Sequence, residues 1–172
     1  MISRFSIFLV TLFLIGCVSQ SINVSPFTPT PVTPTTLPST AKEAHDVLVD
    51  FLTLLHTRHY VDAVSLYGGE YEQLQVFNTE IDRNDHVALW SWACDHQLLQ
   101  CLEVRSATFK ELRGDLYIFQ VEFNNPYGSL FILGPCCGAE ETEMPPVSQF
   151  EFTVSRNTDR RFVMMNMPPY VP

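Results

Sequence analysis

From residue 41 onward, apolar positions recur first with the period of a helix and later with that of a strand. Ala44, Val47, Leu48, Phe51, Leu52 and Leu55 fall at i, i+3, i+4, i+7, i+8 and i+11. This spacing predicts an amphipathic helix, with Thr40 and Glu43 as its capping box. The segment His56-Thr57-Arg58-His59 interrupts the stripe, and a second short helix places Tyr60, Ala63, Val64 and Tyr67 on one face before Gly68-Gly69 stops it. Residues 70–78 read as a further helical turn. Asn84 reads as the N-cap of another helix, on which Trp90, Ala93, Cys94, Gln97 and Leu98 share a side.

Beyond residue 101 the period becomes two. Val104 to Leu112 and Leu116 to Asn124 form an expected hairpin around Arg113-Gly114-Asp115, with Tyr117, Phe119, Val121 and Phe123 on one face. Asn125-Pro126-Tyr127-Gly128 reads as a turn and Ser129 to Leu133 as a third strand. After the loop Gly134-Pro135-Cys136-Cys137-Gly138 and an acidic run, Phe150, Phe152 and Val154 alternate with polar residues, and Phe162 to Met167 reads as the last strand. Helices followed by an antiparallel meander define an α+β domain over residues 41–172, its N-terminal helices packed on one face of the sheet. An amphipathic helix, the short helix within HYVDAVSLYGG (residues 59–69), a further helix and then several long strands resemble the nuclear transport factor 2-like superfamily. That resemblance implies a curved antiparallel sheet wrapping the helices into a cone with a pocket.

The N-terminus carries a different pattern. Arg4 precedes an apolar run from Phe5 to Ile15, followed by small Gly16. This is the layout of a signal peptide, and the run is shorter than the roughly 20 apolar residues that span a bilayer. Leu14-Ile15-Gly16-Cys17 resembles the lipobox of bacterial lipoproteins. The resemblance implies cleavage after residue 16, a diacylglyceryl thioether on Cys17 and usually an acylated amino group such as palmitate. It also implies a protein anchored in the cell envelope on the extracytoplasmic side of a membrane, with the lipid on Cys17 as its membrane partner. Residues 26–40 contain five prolines and six threonines and no charge, so 17–40 is expected to be a lipidated, Pro/Thr-rich linker. Extended at about 3.1 Å per residue, such a segment reaches on the order of 70 Å.

Composition sharpens the list of partners. The formal charge of −9 disfavours a nucleic-acid backbone. No Gly-rich phosphate loop, GxSxG elbow or nucleotide fingerprint follows the signal sequence, so no cofactor is expected. The expected role is therefore a binding module for a small apolar ligand or another envelope protein. The alternative is an isomerase- or hydratase-like enzyme using the cone pocket, which would need a carboxylate and a tyrosine facing one apolar cavity. Asp62, Tyr67 and Glu122 are the weak catalytic candidates for such a site.

Four cysteines remain in the domain: Cys94, Cys101, Cys136 and Cys137. In an oxidising compartment an even number suggests disulfides, and four permit three pairings. One continuous helix through 94–101 would hold that pair about 10.5 Å apart along its axis, whereas a break near Gln97 would allow a local bridge. The expectation is that Cys136 or Cys137 joins Cys94 or Cys101, with no metal bound. A redox-active Cys136-Cys137 pair is the further reading of that loop. His56 and His59 are spaced for a metal but also suit the C-terminal end of the first helix, and the latter reading is preferred. The run Glu140-Glu141-Thr142-Glu143 reads as a solvated loop.

Overall fold

The computed structural model describes residues 38–171; the expected signal sequence, Cys17 and all but the end of the linker lie outside the described residues. Helix α1, Ser39–His56, begins before the expected capping box. Pro38, extended at φ −52° and ψ 143°, accepts the Lys42 N–H at 3.0 Å through its carbonyl, and no side chain caps this end. Thr40 thus lies inside the first turn. Helices α2 (Tyr60–Ser65), α3 (Glu72–Phe77) and α4 (His86–Asp95) follow. The cap of α4 is Asp85 rather than Asn84, its Oδ1 accepting the Ala88 N–H at 3.0 Å.

The strands β1 (Glu103–Arg113), β2 (Leu116–Asn124), β3 (Phe150–Arg156) and β4 (Phe162–Met164) form one antiparallel sheet in the order β1-β2-β3-β4. Two residues, Gly114 at φ +63° and Asp115, join β1 to β2. The β1–β2 register slips between Val104 and Ser106 and again between Phe109 and Glu111. Each slip is a bulge, and bulges bend a strand and increase its twist, which curves the sheet towards the helices without closing it. The fold is α+β, as expected.

Helix α1 packs on all four strands. Its stripe of Ala44, Leu48, Phe51, Leu52 and Leu55 is buried, with Val47 half-buried. Facing it, Phe119, Val121 and Phe123 are fully buried on β2, as are Phe152 and Val154 on β3. Tyr117, on the same face, is half-buried and meets Phe162 edge-on at 5.2 Å. The expected match between the α1 stripe and the β2 face is therefore the core of the domain.

One expected strand does not form and another is shorter than its apolar run. Residues 129–133 make only isolated bridges, Asn124 to Leu130 and Leu133 to Val147. The last strand ends at Met164, where the chain starts to leave the ladder. Met165 still donates its N–H to Thr153 O, but the Asn166 side chain, not a backbone carbonyl, accepts the Thr153 N–H at 2.6 Å. Helix α2 ends at Ser65 with Leu66 as its C-cap, so Gly68-Gly69 does not stop it as expected; the glycines instead lie against β4. Gly68 N–H donates to Met164 O and Met164 N–H donates to Leu66 O, both at 2.8 Å, seating this segment beside β4. A Cβ on Gly69 would stand 2.7 Å from the Met165 carbonyl, so only glycine permits the approach.

Candidate functional site

A groove of about 1110 Å³ opens between α3 and the free edge of β3. Residues 165–170 form its floor. They are held there by a Gln100 N–H bond to Pro169 O at 2.8 Å, a Val171 N–H bond to Leu98 O at 3.1 Å, and stacking of Tyr170 on Phe77 at 5.0 Å. Val76 on α3, Val147 before β3 and Met165 line it while remaining exposed, Val76 by 69%. Glu70 and Glu72 also line it, whereas the Glu151 carboxylate reaches across β2 to Lys110 and Arg113 of β1.

The edge of β3 in this groove is open because β4 is short. In an antiparallel ladder alternate residues direct their backbone groups to the same side. Thr153 bonds Met165 and Asn166 on the β4 side, so Glu151, two residues earlier, points its N–H and C=O to that side as well. The β3–β4 register begins only at Val154, and neither Glu151 group has a backbone or side-chain partner among the described residues. The Glu151 carboxylate is exposed and takes Lys110 Nζ at 2.9 Å, which lowers its pKa.

The interior offers no comparable chemistry. Among the described residues no charged or polar side chain other than tyrosine is buried. Phe51, Trp90 and Tyr67 pack ring against ring, with Tyr67 5.7 Å from Phe51 and 5.1 Å from Trp90. The Tyr67 hydroxyl is already spent, donating to the Glu70 carbonyl at 3.1 Å, and burial raises its pKa well above the ordinary phenol value. Trp90 Nε1 donates to the Tyr71 hydroxyl at 3.3 Å, and Tyr71 stacks on His86 at 3.7 Å.

The three catalytic candidates are not brought together. Asp62 is exposed on α2, where its backbone carbonyl accepts the Ser65 hydroxyl at 2.6 Å. Glu122 lies on the face of β2 opposite the core, where bonds from Gln149 at 3.0 Å and Ser106 at 3.0 Å lower its pKa. Tyr67 is in the core. His56 and His59 turn to different partners: the Cys101 carbonyl at 3.1 Å for His56 and the Thr57 hydroxyl at 2.9 Å for His59. Glu140 to Glu143 form exposed turns.

Sequence reasoning missed a polar clasp built on Asp95. Tyr60 donates its hydroxyl to Asp95 Oδ1 at 3.0 Å, Arg58 Nε stands 3.3 Å from the same oxygen, and Ser91 donates to Oδ2 at 3.1 Å. Desolvation, then the Asp95 bond, pushes the Tyr60 phenol up to about 12. With its proton held by Asp95, Tyr60 ties α2 to the end of α4.

Beside this clasp the cysteines depart from expectation. Neither Cys136 nor Cys137 reaches the helix; both are free thiols, and Cys94 is bonded to Cys101. The cause is local. Helix α4 ends at Asp95 and Gln97 takes φ +58°, a left-handed residue that turns the chain out of the helix. Leu99 then donates its N–H to Ala93 O at 3.0 Å and is buried, leaving the Cys94 and Cys101 Cα atoms 5.5 Å apart. The helix break near Gln97, not the glycine-rich loop, selects the partner. The bridge closes a short loop, so replacing both cysteines by serine is expected to cost about 2–3 kcal/mol in the chain-entropy model. Urea unfolding measures this; a change under about 0.5 kcal/mol would mean that the Gln97 reversal holds itself.

Comparison with models of known protein families and with curated proteins finds no match to this chain. Among the described residues no helix is long and apolar enough to cross a membrane.

Proposed function

We propose that the protein is a lipid-anchored protein of the cell envelope, held at the membrane through Cys17, whose domain binds an extended, basic segment of another envelope protein. The observation that carries the binding reading is the open β3 edge at Glu151, set between the exposed apolar side chains of Val76, Val147 and Met165. A free strand edge supplies main-chain hydrogen bonds to an added strand, and flanking apolar positions take alternate side chains. Glu70 and Glu72 on the walls and the net charge of −9 favour a positively charged partner. Element order and the curved, unclosed sheet support the likeness to the nuclear transport factor 2-like superfamily.

A small apolar ligand fits less well, since pockets for such ligands enclose most of the ligand surface and this groove is open along its length. The enzymatic alternative has less support among the described residues: the space between α1 and the sheet is filled by aromatic rings, and the exposed carboxylates Glu122 and Glu151 have lowered pKa values, where general acid–base work would call for raised ones.

The test uses peptides that alternate Lys or Glu with Val, titrated into the purified full chain and followed by amide chemical shifts and hydrogen exchange. The Lys-Val peptide is expected to bind and to protect the Glu151 amide. Val76→Lys or Met165→Lys should weaken it by about tenfold or more, which is roughly 1.4 kcal/mol. Equal affinity for the Glu-Val peptide would overturn the reading. So would binding that ignores both variants, or occupation of the groove by the apolar dye anilinonaphthalene sulfonate alone.

A further inference from the structure

The Cys136-Cys137 pair stands apart from the groove and from the interior. We propose that it is a redox-active dithiol, which closes to a vicinal disulfide by exchange with an external disulfide and reopens by the reverse reaction. Three features converge on this. The two sulfurs lie 2.8 Å apart, inside the separation at which two unbonded sulfur atoms rest, and neither has another partner among the described residues. The backbone turns sharply at the pair. Cys136 O accepts the Ala139 N–H at 3.0 Å, closing a tight turn whose central residues, Cys137 at φ +61° and Gly138 at φ +86°, are both left-handed. Glycine adopts that conformation freely, whereas cysteine does so at a cost of roughly 1–2 kcal/mol, and such cost concentrates where a local geometry serves a function. Finally, the pair is reachable: Cys137 is exposed and Cys136 half-exposed, in contrast to a structural thiol packed in a core.

The loop that carries the pair is anchored at its base. Leu133 N–H donates to Val147 O at 2.8 Å and Val147 N–H returns the bond to Leu133 O at 2.9 Å. The dithiol therefore sits on a closed loop. The other two domain cysteines are consumed by the Cys94–Cys101 bridge and cannot serve as resolving thiols without breaking it.

The chemistry balances with an external disulfide R–S–S–R as oxidant. The Cys137 thiolate attacks one sulfur of the oxidant, forming a mixed disulfide and expelling one RS⁻. Cys136, deprotonated in turn, attacks the Cys137 sulfur, expelling the second RS⁻ and closing the ring through the peptide bond that joins the two residues. Two protons pass from the cysteines to the two released thiolates and two electrons pass to the oxidant, giving one vicinal disulfide and two RSH. The order of attack follows from the site. Cys137 is the more exposed, and the hydrogen bond between the two sulfurs raises the pKa of Cys136, which keeps its proton longer.

Glutathione disulfide is the probe, applied to the full chain under native conditions, quenched with acid and mapped by digestion and mass spectrometry. The fragment carrying Cys136 and Cys137 is expected to lose two hydrogens and retain no glutathione, while Cys94–Cys101 stays paired. Cys136→Ser, which lacks the second nucleophile, should accumulate glutathione on Cys137; Cys137→Ser should react more slowly. Dithiothreitol should restore both thiols. Glutathione retained on the unaltered pair would overturn the proposal. Two thiols still free in excess oxidant, or a bond from either cysteine to Cys94 or Cys101, would do the same. The assay requires neither the membrane anchor nor the groove.

Discussion

Replacing Phe119 by alanine is expected to destabilise the domain by about 3–5 kcal/mol, the cost of emptying a fully buried aromatic site. Phe119 is completely buried at the middle of β2. Its strand partners are Phe109 on β1 and Phe152 on β3, and its ring stands 5.6 Å from Phe109 and 5.9 Å from His45 of α1. A cavity there is walled by strands on both sides and by α1 above, so little can move in to fill it. Urea unfolding should show a lower midpoint with the slope unchanged, since the same surface is exposed on unfolding. Tyr127→Ala is the control, because Tyr127 is 94% exposed and its loss should stay within about 0.5 kcal/mol. A Phe119→Ala effect below about 1 kcal/mol would mean that the β2 face does not form the core.

The β2 face was legible because four alternating residues on one strand can only be buried together. The α1 stripe was legible for the matching helical reason. The strand before them shows what a simple period conceals. Val104, Ala107 and Phe109 all pack against the core, yet 104 and 107 are an odd number apart. In a regular strand they would face opposite sides, and the bulge between Val104 and Ser106 reconciles them. That odd spacing was in the sequence as a sign of curvature. The caps fall one or two residues from their expected places: at α4 Asn84 and Asp85 are both competent, whereas α1 opens at Pro38 with no side-chain cap at all. The choice among them falls to where the preceding chain turns, not to side-chain type.

The groove was not legible at all. Its walls come from residues 67–76, 147–152 and 165–170, three segments that the fold alone assembles. The apolar run Phe162 to Met167 suggests a longer strand that would have covered the β3 edge. Instead Asn166 bonds Thr153 through its side chain and the chain departs. The disulfide was misread for a related reason. The glycines and proline around Cys136 and Cys137 pointed to that loop as the site of unusual geometry. The decisive left-handed residue near the helix was Gln97, a type that rarely announces one.

Cys17→Ser is expected to abolish lipid attachment. Within the proposed function Cys17 is the sole attachment point, since the apolar run Phe5 to Ile15 would be removed with the signal peptide and no described helix can span a bilayer. Serine keeps the size of the side chain but offers oxygen in place of the sulfur that becomes the thioether. Membrane affinity grows by about 0.8 kcal/mol for each buried methylene, and even one myristoyl chain gives an association constant of only about 10⁴ M⁻¹. Loss of all chains therefore leaves nothing to hold a cleaved domain at the membrane. The unaltered protein should partition into the detergent phase, with a mass that includes acyl chains and an N-terminus at residue 17. The variant should lack the acyl mass and appear either as an uncut precursor or as a released, water-soluble protein. An uncut precursor would remain in the membrane fraction through its intact apolar run, so the acyl mass and the N-terminus, not fractionation alone, decide the outcome. A variant cut before residue 17 that still carries acyl chains would overturn the anchor.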